Sequence, residues 1–123
     1  MFLQFLFLKM MESYLNGLQL ILHQAVENQG TARARLEDLT TRYLQLPLQE
    51  QRLIQLVRRD NSRFTGAERT ELVRAYQDAL PNQIERILRD GIASGEIMAG
   101  DARLLAWQYV AIVEVSLSDY ARS

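Results

Sequence analysis

The sequence predicts an all-α protein, a five-helix bundle, and three observations carry the prediction. Apolar residues recur at spacings of three and four over most of the chain, the period of a half-buried helix. Two prolines and six glycines in 123 residues leave long uninterrupted stretches. The stop signals fall about a helix length apart, with no convincing strand pattern, internal repeat or low-complexity segment between them. A chain of this length fits one domain over residues 1–123, able to bury roughly two-thirds of its unfolded surface around a single core.

The first helix runs from about Phe5 to Glu27, with Leu8, Met11, Leu15, Leu18 and Leu22 on one face. Its apolar start, Met1 to Met11, invites comparison with a signal peptide or membrane anchor. No basic residue precedes the run and no small-residue cleavage site follows it. Gln4, Lys9 and Glu12 also interrupt it far short of the roughly 20 residues a spanning helix needs. It reads as the buried start of a helix. Asn28-Gln29-Gly30 supplies the stop, and Thr31 is placed to cap a second helix over residues 32–45 through its hydroxyl. That element brings Leu36, Leu39, Tyr43 and Leu46 to one side before Pro47 breaks it. A short third helix from Gln49 to Arg59 carries Leu53, Leu56 and Val57, and residues 60–64 read as a loop.

Thr65-Gly66-Ala67-Glu68 has the capping-box spacing, in which the threonine oxygen accepts a backbone N–H and the glutamate reaches back. The fourth helix starting there carries Leu72, Val73, Tyr76 and Leu80, then Ile84, Ile87, Leu88 and Ile92. A kink is expected near Pro81, whose ring clashes with the carbonyl four residues earlier. Gly95 is placed to take the left-handed conformation that closes this helix, with Ile97 packing back on its last turn. Asp101 caps the fifth helix, which runs to about Ala121.

That last helix is apolar almost all round. Its stripes are Leu104, Ala111 and Val115; Leu105, Tyr109 and Ile112; and Ala106, Val110, Val113 and Leu117, interrupted by Gln108 and Glu114. The protein's own core covers one side, and the other calls for a partner chain, which points to a homodimer. Each large apolar side chain left in water would forgo roughly 1.5–3 kcal/mol. Leu105, Tyr109, Ile112, Val113 and Leu117 are the expected interface residues.

Composition narrows the function classes. Fourteen basic and 15 acidic residues give a net charge of -1, so no global field favours nucleic acid or an anionic membrane. The absence of cysteine excludes a disulfide framework, a thiol nucleophile and a thiolate metal site, and the default compartment is cytoplasmic. His23 and Glu27 could place two metal ligands on one helical face, but no second histidine exists to complete a site. No phosphate loop or nucleophile elbow is present, and Ser94-Gly95 is explained by helix termination. Neither catalysis, a cofactor nor a bound metal is expected. Arg58, Arg59 and Arg63 flank Asp60 without an aromatic platform, as a solvated loop would, and Glu68, Arg69, Glu71 and Arg74 describe a water-facing helix.

The phrase Ile84-Glu85-Arg86-Ile87-Leu88-Arg89-Asp90-Gly91-Ile92-Ala93-Ser94-Gly95-Glu96-Ile97, followed by Asp101-Ala102-Arg103-Leu104-Leu105-Ala106, resembles the C-terminal domain of TetR-like (tetracycline-repressor-like) transcriptional regulators. Leu6 to Leu15 is similar to the helix that follows the helix-turn-helix head in that family. The resemblance covers nearly the whole chain and implies an effector-binding and dimerisation domain. The DNA-binding head would have to precede about Phe5, and the family's last dimerisation helix would follow Ser123. The expectation is therefore a truncated regulator core that does not itself contact DNA.

In such regulators the ligand cavity lies among the long helices, which implies a small apolar effector here. Tyr14, Tyr43, Tyr76 and Trp107 each join an apolar body to a hydrogen-bonding tip, and Glu114 lies beside Trp107 on the wheel. These five are the candidate pocket residues. The alternative is a ligand-free helical protein-interaction module, which needs only a filled core and an apolar outer patch.

Overall fold

The computed structural model describes residues 2–60 and 64–117, with side chains described for all of these except residues 2–4, 58, 60 and 114–117. The described residues form helices α1 (Phe2–Glu27), α2 (Ala32–Leu44), α3 (Leu48–Asp60), α4 (Gly66–Ala79), α5 (Pro81–Ala93) and α6 (Ala102–Leu117), and contain no strand. All five expected helical segments are present, the expected end of the fifth near Ala121 lying outside the described residues, and the fourth is interrupted where its kink was expected. Leu80 adopts φ -129° and ψ -71°, and Pro81 occupies the first turn of α5, where its missing N–H costs nothing. No helix among the described residues is long and apolar enough to cross a membrane.

Helix α1 is the spine, packing against α2, α3, α4 and α5, while α6 lies along α5. The predicted stripe of Leu8, Met11, Leu15, Leu18 and Leu22 is fully buried. Leu39 and Tyr43 from α2, Leu72 and Tyr76 from α4, and Ile84 and Ile87 from α5 close around it. Helix α3 buries Val57, as expected, together with Ile54, while the expected Leu53 and Leu56 are only half-buried.

The helix ends follow local chemistry with one exception. Thr31 Oγ1 accepts the Ala34 N–H at 3.1 Å, and Asp101 Oδ1 accepts those of Arg103 and Leu104 at 3.0 and 3.1 Å. Gly95 takes φ 82°, with its N–H bonded to Ile92 O and that of Ile97 to Gly91 O. The expected capping box at Thr65 does not form: α4 starts there, yet the hydroxyl makes no cap bond. Gly66 takes φ 61°, and a left-handed residue directly after the cap turns the first amides away from the box geometry.

Three helix ends meet in one joint. Arg35, 8% exposed, donates through Nη2 to Val26 O at 2.7 Å and to Asp90 Oδ2 at 3.0 Å, linking the ends of α1 and α5 to α2. The Glu96 carboxylate accepts the Ala32 and Arg33 N–H groups at 2.7 and 3.2 Å, so the α5–α6 turn satisfies the first amides of α2. Thr40 and the Tyr109 hydroxyl hydrogen-bond between α2 and α6.

Candidate functional site

A cleft of about 430 Å³ opens between α1 and α3. Met10, Ser13, Tyr14, Gly17, Leu18 and Ile21 line it from α1, and Leu46, Glu50 and Ile54 from the opposite side. The α1 residues share one face by helical spacing, and Gly17 keeps that wall low: a Cβ built there would meet nothing within 4 Å. Apolar walls with a few polar groups are the make-up that small-molecule clefts share.

A broader groove lies between α2 and α6, with Leu36, Ile97 and Tyr109 among its walls. Most of its polar groups are already engaged. Arg33 pairs with Glu37 at 3.1 Å, Glu96 holds the start of α2, and Thr40 bonds Tyr109. The α1–α3 cleft, with hydrogen-bonding capacity unspent, is the better binding candidate.

The five candidate pocket residues do not converge. Tyr14 lines the α1–α3 cleft and is 40% exposed. Tyr43 and Tyr76 are buried core side chains, at 2% and 5% exposure, and neither borders either opening. Trp107 is half-buried on α6 with the Arg103 guanidinium 5.5 Å from its ring centre, and Arg103 itself reaches Asn82 and Glu85 on α5. That places Trp107 at the α5–α6 seam. The Glu114 side chain lies outside the described residues. Met10, Ser13, Ile21 and Glu50 were not singled out by sequence. The one available signal was Gly17, since a mid-helix glycine costs about 1 kcal/mol relative to alanine and calls for a reason.

On α6, Ala102, Ala106 and Val110 face the interior, whereas Leu104 is 56% and Ile112 65% exposed. Gln108 and Ala111 are exposed between them. Of the expected interface residues, Leu105, Tyr109 and Val113 are half-buried against the protein's own core, Ile112 points outward, and the Leu117 side chain lies outside the described residues. The outward apolar face is thus centred on Leu104 and Ile112.

His23 and Glu27 lie 3.1 Å apart on an exposed face, and Arg86 approaches the same carboxylate at 3.5 Å. No group of three or more metal-ligating side chains occurs among the described residues. Arg59 is exposed, while Arg63 and the Arg58 side chain lie outside the described set.

Comparison with curated proteins and with solved structures finds no match. Residues 29–116 match the family described as "Tetracyclin repressor-like, C-terminal domain". That match spans nearly all of α2 to α6, the helices that carry the outward apolar face and all of the joint except the end of α1. The chain therefore belongs to the tetracycline-repressor-like C-terminal domain family.

Proposed function

We propose that this domain is the effector-sensing and dimerising unit of a TetR-like transcriptional regulator acting in the cytoplasm, with residues 1–123 working as one domain. Two copies pair through α6, and a small, largely apolar effector enters the α1–α3 cleft. The observation that carries the reading is the outward apolar face of α6 within the family match, where Leu104 and Ile112 are more than half exposed. A helix-on-helix contact between two copies removes those side chains from water, and a two-fold axis makes one patch serve both partners.

Sedimentation equilibrium over a concentration range, run on the wild type and on Ile112→Glu, tests this. The expected outcome is a wild-type dimer that the charge dissociates with helix content unchanged by circular dichroism. A folded monomer in both samples would overturn the dimer reading. One observation favours a second reading, a ligand-free interaction module: Tyr43 and Tyr76 fill the core, where an internal ligand cavity would have needed them along its wall. The two readings part on whether the α1–α3 cleft binds anything.

A further inference from the structure

We infer that the α1–α3 cleft takes an organic monocation with an apolar body, whose charge is held by Glu50 and the ring of Tyr14. The inference rests on the effector-sensing reading and adds the sign of the ligand's charge to it. Five apolar side chains, Met10, Leu18, Ile21, Leu46 and Ile54, and the open position at Gly17 shape the cleft. Its polar groups are Ser13, Tyr14 and Glu50, and no basic side chain lines it. Lys9, one turn from Ser13, is engaged elsewhere: its Nζ lies 3.4 Å from Glu12 and 5.6 Å from the Phe5 ring centre.

Glu50 is the distinctive group. The other half-buried carboxylates among the described residues each have a partner: Glu12 in Lys9, Asp38 in Arg42, Asp78 in the Asn82 amide and Glu85 in Arg89. The half-buried Glu50 side chain has neither an ion pair nor a hydrogen bond among the described residues. Its position in the first turn of α3 suits the helix dipole, which favours a negative charge there but leaves the carboxylate oxygens unbonded. A neutral ligand filling the cleft would strip water from that carboxylate and return nothing, and an anion would be repelled. A cation repays the desolvation by direct attraction to Glu50 and by contact with the Tyr14 ring. The cleft's volume, about 430 Å³, suits one small organic ion.

Isothermal titration with three probes of similar body tests the inference: benzyltrimethylammonium, its uncharged isostere neopentylbenzene, and phenylacetate. Each is titrated into the wild type, Glu50→Gln and Gly17→Leu, with helix content checked by circular dichroism. The cation is expected to bind most tightly, to lose about tenfold or more in affinity in Glu50→Gln, and to lose binding in Gly17→Leu, whose side chain fills the cleft. Equal binding of cation and isostere, or no effect of Glu50→Gln, overturns the inference on charge. If Gly17→Leu still blocks the neutral probe, the effector-cleft reading survives that result. Failure of every probe to bind, or binding indifferent to Gly17→Leu, overturns both.

Discussion

Arg35 shows how burial decides which of two bonds matters. One guanidinium nitrogen serves both Val26 O, a carbonyl at the buried end of α1, and Asp90, whose side chain is 52% exposed. A half-exposed ion pair contributes about 0–1 kcal/mol, whereas leaving a buried carbonyl unbonded costs about 1–3 kcal/mol. Arg35→Ala is therefore expected to lower unfolding free energy by about 2 kcal/mol, and Asp90→Asn by less than about 1 kcal/mol, in urea titrations. Equal losses would contradict that ordering. Gly91 poses a contest of the same kind. Helix propensity favours alanine by about 1 kcal/mol, but the new Cβ would sit 2.6 Å from Ile97 Cδ1 and 2.9 Å from Ala32 Cβ. Ile97 can rotate away, while Ala32 is fixed to the backbone of α2. Overpacking of this kind costs about 1–3 kcal/mol, so Gly91→Ala is expected to be destabilising on balance, and a gain in denaturation midpoint would show that α2 yields freely.

The two threonine caps look alike in sequence and differ in structure. Thr31 accepts the Ala34 N–H, so Thr31→Ala is expected to cost about 1 kcal/mol; Thr65 makes no such bond, and Thr65→Ala should stay within about 0.5 kcal/mol of wild type. Comparable losses at both would mean that Thr65 caps α4 in solution. The contrast marks where sequence reading holds. Thr31, Gly95 and Asp101 are set by bonds within a few residues, and each behaves as its pattern predicts. The periodic stripe of α1 likewise predicts its buried face. Thr65 departs because the backbone of Gly66, free to take positive φ, overrides a side-chain pattern. The cleft was harder to see for a different reason. Which faces of α1 remain open depends on where α3 lands, and the bonds that place the helices, such as Gln51 Nε2 to Leu44 O and Leu46 O, join segments whose spacing carries no signature. Tyr43 and Tyr76 show the same limit: their ring chemistry is compatible with pocket or core, and packing alone assigned them to the core.

The joint of α1, α2 and α5 has a mechanical consequence for the assembled protein. Glu96 and Arg35 bind α2 to both ends of the α5 turn, and Tyr109 ties α2 to α6, so a ligand that parts α1 from α3 would act on α6 through α2 and α5. The proposed pairing of two copies through α6 makes a sharper claim, because a two-fold interface counts every substitution twice. Leu104→Ala removes one partly buried side chain from each partner. At about 1–2 kcal/mol per side chain the loss doubles, and the dissociation constant is expected to rise on the order of 100-fold. The same change should leave the unfolding free energy of the dissociated chain within about 0.5 kcal/mol of wild type, since Leu104 is 56% exposed there. Val110→Ala provides the opposite case. Val110 is 1% exposed inside the bundle, so its truncation leaves a cavity, and the folded chain should lose about 1–2 kcal/mol with association little changed. Sedimentation and urea unfolding of both variants separate the two sides of α6. Loss of stability without loss of association in Leu104→Ala would place that side chain in the core and overturn its assignment to the interface between the two copies.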